Sequence, residues 1–311
     1  MQSPPAELRL RPLRVTELLD TVFSLYRRNF WLFVAIVAVV QVPYQLIADL
    51  ISLTRPAQLP KAAAGHPLTH AQLTLTLHDA ALGLGAGAIL LVLTVAAVVP
   101  LQTAAFTKAV SDRFLGRPAS AGSCYRFAVK RWGSLFALGM IYLGLFVGAL
   151  VVLLILVVLL LLLLGAAGAA LAVLLGLIAL VVGLIFYVRL LVASPALVLE
   201  GCRPWDSIRR SWGLTSGNSG RAFGVLVSLV LVEILVGALL GIVVGLPVGL
   251  VGINSAAGIL IRDLGTLIIG VLVAPILAGG LTLLYFDLRI RKEAFDLELL
   301  SQQLAQGPSS S

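Results

Sequence analysis

Three segments of this chain pair two cations with a tryptophan: Arg27–Arg28 with Trp31, Lys130–Arg131 with Trp132, and Arg209–Arg210 with Trp212. Guanidinium and ammonium groups bind phosphate, and an indole settles where apolar and wet surroundings meet. Such a set suits gripping a membrane headgroup layer, anionic lipid above all. Glu233 is a second candidate, an acid alone in an apolar stretch. A carboxyl at that depth could carry a proton or make one interhelical hydrogen bond, and the second is the simpler expectation. Gln41, Gln102 and Thr103 are expected at similar depth as its partners. All three histidines, His66, His70 and His78, fall in one segment, with Asp79 beside the last. On one helix they would share a face and could hold zinc. Pro67 and the alternation Leu73–Leu77 favour a solvated loop instead, so no metal is expected. No phosphate-binding loop, nucleophile elbow or catalytic histidine pair is present in the sequence, which argues against an enzyme and against a cofactor. Cys124 and Cys202 stand apart in basic loops without a CxxC pattern and are expected to be reduced.

The elements that must position these groups are membrane helices. Between Arg131 and Arg189 lie 57 residues without a charge. As one helix they would reach roughly 86 Å, against a bilayer core of about 30 Å. The run must therefore fold back, and the small-residue patch Gly165–Ala170 is the expected turn. Mean hydropathy is +1.07, and charged residues are 12% of the chain, about half the soluble average. Hydropathy places six spans near 30–52, 80–106, 134–163, 169–191, 222–250 and 264–286. Lipid demands that each satisfy its own backbone, hence helices. The first apolar run begins near Phe30 and is too long for a signal peptide, so none is expected. Gly241 and Gly245 form a GxxxG pair, which suggests close helix packing.

Of the 22 Lys and Arg, all but Arg55, Lys61 and Arg262 fall before the first span, between spans two and three or four and five, or after the last. By the positive-inside rule both termini are cytoplasmic, in the plasma membrane. The net charge of +8 is then topological, and nucleic acid is not an expected partner. The basic-aromatic segments introduce three hairpins of the same orientation. The first segment is amphipathic, with Leu18, Leu19, Val22, Phe23 and Tyr26 on one face. Each even-numbered span carries a proline towards its cytoplasmic half: Pro100, Pro195 and Pro275. A proline there frees a backbone carbonyl and kinks the helix. The expected fold is all-α: a six-span bundle of three parallel hairpin repeats, each preceded by an interfacial helix. Residues 1–14 form an N-terminal cytoplasmic segment, 15–291 the membrane domain and 292–311 an amphipathic tail. Phe295, Leu299 and Leu300 fall near one face of that tail, and Glu293, Asp296 and Glu298 could latch onto the basic segments.

Three stretches carry a family resemblance: LRPLRVTELLDTVFSLYRRNF near the start, SPALVLEGCRPWDSIRRSWGL at 194–214 and LTLLYFDLRIRKEAFDLELL at 281–300. The chain resembles the glycerophosphoryl diester phosphodiesterase membrane-domain family over nearly its whole length. The resemblance implies a membrane bundle and a membrane address. It does not imply phosphodiesterase activity, because no histidine here is followed by Arg-Gly and no 250-residue soluble region remains for the catalytic barrel. The expected function is a non-enzymatic module that organises lipid, or a partner protein in the membrane, at the cytoplasmic face. A small transporter or channel with Glu233 in its pathway is the alternative.

Overall fold

The computed structural model describes residues 13–53, 70–94, 98–253 and 255–293. Among these the chain forms nine α-helices and no strand. Four helical stretches are long and apolar enough to cross a membrane: Phe30–Ile51, Ala121–Glu200, Ser219–Val251 and Ala256–Glu293. A shorter apolar stretch, Ala81–Leu93, falls within the second expected span.

Helix α1 (Val15–Arg28) opens with the Glu17 carboxylate accepting the Arg14 N–H at 2.8 Å. It buries Leu18 and Val22, as its 3.6-residue periodicity requires. Asn29 interrupts it for one residue, and α2 (Phe30–Leu53) follows at once. Helix α3 (His70–Leu93) returns beside α2, where Thr94 Oγ1 lies 3.1 Å from the Tyr44 hydroxyl. Thr94 and Val98 take the wider π-helical pitch before α4 (Val99–Phe114). Pro100 sits in the first turn of α4, where its missing N–H is tolerated.

Helix α5 (Ala121–Leu190) holds the 57-residue uncharged run and folds back on itself. Gly165 leaves helical geometry at φ 52°, ψ −126°. At Gly168 a Cβ would lie 2.0 Å from the Leu160 carbonyl oxygen, so only glycine fits the turn. The two limbs meet again at their far ends, where the Tyr142 hydroxyl donates to Leu190 O at 3.3 Å. The turn thus falls where the small residues predicted it. A break at Leu191–Val192 precedes α6 (Ala193–Glu200), with Pro195 in its first turn. Helix α7 (Pro204–Thr215) starts on a proline. Helices α8 (Ser219–Val251) and α9 (Ala256–Glu293) form the last hairpin.

Two of the three expected interfacial helices are separate elements, α1 and α7. The second, around Cys124–Phe136, is instead continuous with the first limb of α5: no proline interrupts Cys124–Leu164, and its glycines (Gly133, Gly139, Gly144 and Gly148) keep helical geometry. Pro275 lies inside an unbroken α9, unlike Pro100 and Pro195, which start new helices. Gly241 and Gly245 do not mark a tight crossing: a Cβ at either would meet nothing within 4 Å. The close approach in this hairpin is at Gly265 against Val244.

The core is not spread along the helices. Buried side chains gather at the end carrying the basic loops, from Leu18 and Ile36 through Ala104–Asp112, Cys124–Leu138, Val188–Val198 and Ala222–Leu229 to Leu283–Ile290. Beyond it, large apolar side chains are exposed along both limbs of α5 and along α8, such as Leu162, Leu180 and Leu246. An exposed apolar surface of that extent belongs in hydrocarbon. At the centre of the core, α4, α6 and α9, the helices that carry the three prolines, each touch the other two.

Candidate lipid interface

The basic-aromatic segments all lie at the packed end, and the structure divides their charges. Arg27, Arg28, Lys130 and Arg209 are exposed. So are the indoles of Trp31, Trp132 and Trp212, with Trp31 at 79% the most open. Trp205, which sequence reasoning passed over, joins them. Arg131 and Arg210 are turned inward. Arg131 donates to Gly201 O at 3.3 Å and lies over the Phe127 ring. Arg210 donates from Nε to both Glu200 oxygens at 2.9 Å and from Nη2 to Glu293 Oε2 at 2.6 Å. Bonds from Glu293 first, with those from Glu200, raise Arg210 above the ordinary guanidinium value against the opposing effect of burial. These two arginines join helices.

Glu200, Arg210 and Glu293 belong to a network across α6, α7 and α9. The Tyr285 hydroxyl donates to Glu200 Oε1 at 2.6 Å, and Arg289 Nε donates to Glu293 at 3.2 Å. The expected latch from Glu293 to a basic segment is therefore present. Asp296, Glu298, Phe295, Leu299 and Leu300 lie outside the described residues.

A second network centres on Asp287, whose side chain has no exposure. It accepts from Arg221 Nε at 2.8 Å, Arg291 Nε at 3.1 Å and the Leu13 N–H at 2.9 Å. Both arginines also donate to Leu13 O. A buried carboxylate is tolerable only when paired and hydrogen-bonded in this way. The network ties the start of the chain to α8 and α9. Asp112 on α4 is the counterpart: it accepts from Lys108 Nζ at 2.7 Å. Asp112 and Asp287 stand at the same offset from Pro100 and Pro275, as do the buried Thr107 and Thr282. Sequence reasoning missed both acids, although the shared spacing after the prolines was a signal that could have found them.

Tyrosine hydroxyls bond helix carbonyls near a proline and beside a helix break. Pro275 has no N–H, so the Val271 carbonyl one turn earlier loses its helical donor. The Tyr26 hydroxyl donates to the neighbouring carbonyl, Leu272 O, at 3.0 Å. Tyr142 does the same for Leu190 O beside the α5–α6 break. The Tyr125 hydroxyl donates to Ile36 O on α2.

Glu233 on α8 is half-buried and lies near the backbone of Leu277 on α9, two residues past Pro275. Gln41, Gln102 and Thr103 are half-buried on α2 and α4, not against Glu233. His70 begins α3 and His78 is exposed further along it, while His66 lies outside the described residues. Among the described residues no group of three His, Cys, Asp or Glu side chains is placed to hold a metal. Compared with known proteins, the chain matches no protein-family model, no curated protein and no solved structure.

Proposed function

We propose that this is a six-span protein of the plasma membrane with both termini in the cytoplasm, built from three parallel hairpin repeats, and that it organises anionic lipid at the cytoplasmic face without catalysing a reaction. The repeat reading rests on the mutual contact of α4, α6 and α9 and on the paired positions Thr107/Thr282 and Asp112/Asp287. The orientation rests on the gathering of basic residues at the packed end. The resemblance to the glycerophosphoryl diester phosphodiesterase membrane-domain family supports a stand-alone bundle.

One observation carries the functional reading. At the packed end the acids Asp287, Glu200 and Glu293 are consumed by internal arginines, whereas Arg27, Arg28, Lys130 and Arg209 stay exposed beside exposed tryptophans. Asp20 and Asp206 are exposed there too, and the outward charge is net cationic and set among interfacial anchors. Each such charge near an anionic surface is worth about 1 kcal/mol. The test is thermal unfolding in nanodiscs of phosphatidylcholine with and without phosphatidylglycerol. The wild type should melt higher in the anionic discs, and the variant with these four residues changed to Gln should lose that difference. An unchanged difference would refute the reading.

Glu233 favours a second reading, a transporter or channel, because it is a half-buried acid inside an apolar helix. Glu233→Gln keeps the shape and hydrogen-bonding capacity and removes the titratable proton. On the lipid-organising reading the folded variant behaves as wild type in proteoliposomes. Loss of a proton-linked flux that the wild type shows would favour the transporter instead.

A further inference from the structure

The two limbs of α5 enclose a groove of about 660 Å³ that the interfacial cations do not account for. Tyr142, Phe146 and Ala149 line one wall, and Gly183, Phe186 and Leu190 the other. Ser194 of α6 and Leu281 of α9 contribute at the packed end. Along the second limb the lining runs from Ala179 to Leu190. At 1.5 Å per residue that is roughly 16 Å, about half of a hydrocarbon core of about 30 Å. The groove is thus one leaflet deep and apolar along its length, and it ends at the level of the basic loops.

A cation lies beside that end, outside the lining itself and joined to it through Trp212. Phe186, which lines the groove, packs edge-on against Trp212, with ring centroids 5.3 Å apart. The Arg189 guanidinium lies over the same indole at 5.4 Å. Its Nε and Nη1 are buried without a hydrogen-bond partner. Nη2 also makes no hydrogen bond but is not fully covered. A guanidinium held on an indole with two covered nitrogens has lost water without gaining an acceptor, and an anion at its open edge would offset that cost.

We propose that this groove holds one anionic phospholipid of the cytoplasmic leaflet, with an acyl chain between the limbs of α5 and its phosphate at Arg189. The occupant follows from depth and charge together: an apolar slot as long as one leaflet, with a cation beside its packed end whose hydrogen bonds are unmet. The inference rests on the lipid-organising reading but adds a discrete site to it. It uses none of the four exposed cations that carry that reading.

The test is native mass spectrometry of the full-length protein released from nanodiscs of phosphatidylcholine and phosphatidylglycerol. The readout is the fraction of protein retaining one phosphatidylglycerol. Gly183→Leu fills the groove, where a Cβ meets nothing within 4 Å and the fold should tolerate it. Arg189→Gln removes the charge. Gly176→Leu, equally open but outside the lining, is the control. Melting in detergent confirms that each variant is folded. We expect Gly183→Leu and Arg189→Gln each to lower retention about tenfold, as loss of a charged hydrogen bond or of the chain's slot would, and the control to match the wild type. Equal retention in all four proteins overturns the site, and so does equal loss in the control. If the site fails while the melting difference between anionic and neutral discs persists, the lipid-organising reading stands without it.

Discussion

Asp287→Asn is the sharpest probe of how this protein is held together. The substitution keeps the shape of the side chain and removes its charge. In the native protein that charge is met by Arg221 Nε at 2.8 Å, Arg291 Nε at 3.1 Å and the Leu13 N–H at 2.9 Å, with the carboxylate fully buried. The two arginines are themselves mostly covered, at 19% and 28% side-chain exposure, so they cannot recover full hydration. Removing one partner of a buried ion pair typically costs 3–5 kcal/mol, because the remaining charge is left unmet. The arginines here keep Leu13 O as an acceptor, which places the expected loss at the lower end, about 3 kcal/mol. For a chain of this size that corresponds to a fall in Tm of about 5 °C. Arg291→Gln, which touches the more exposed arginine of the pair, should cost about 1 kcal/mol. The assay is thermal unfolding of detergent-purified protein, followed by tryptophan fluorescence. A double-mutant cycle with Arg221→Gln should show strong coupling, because the two residues share one network. Asp287→Asn melting within a degree of the wild type, or a strictly additive cycle, would refute the claim that this acid clamps the start of the chain to α8 and α9.

Gly168→Ala should open the α5 turn, since its Cβ would lie 2.0 Å from a backbone oxygen that cannot rotate away. A loss of about 2 kcal/mol or more is expected, and Gly85→Ala, with nothing within 4 Å, is the neutral comparison in the same unfolding assay. Cys202 should alkylate more slowly than a free thiol at pH 8. Burial, with the nearby Glu200 charge, pushes its thiol above the ordinary value, so less thiolate is present, and the rate should rise as pH increases. Cys124, fully buried, should stay unlabelled until the protein unfolds; labelling of Cys124 ahead of Cys202 would contradict the packing described for the start of α5.

Apolar periodicity and charge placement were enough to read the helical class, the fold-back near Gly165 and the location of the basic residues. Those features follow from local composition and the physics of a bilayer, which act on every residue in the same way. Other features depend on partners far along the chain. Arg210 looked like an interfacial cation because its acceptors, Glu200 and Glu293, are 10 and 83 residues away. Arg131 faces Gly201, 70 residues on. The continuity of α5 through Trp132 was hidden for another reason. A basic-aromatic cluster signals depth in the membrane, and a helix can cross that depth without breaking. Asp112 and Asp287 were legible in principle through their common spacing from proline, but the low identity between the hairpins concealed it.

The account rests on the packed, basic end facing the cytoplasm, and cysteine accessibility tests this most directly. In a Cys202→Ser background, Ser216→Cys lies exposed between α7 and α8 at the packed end, and Ala257→Cys lies exposed at the opposite end near the start of α9. With a membrane-impermeant thiol reagent on intact cells, Ala257→Cys should label and Ser216→Cys should label only after permeabilisation. Labelling of Ser216→Cys in intact cells, with Ala257→Cys protected, would contradict the orientation and with it the proposed grip on the anionic leaflet.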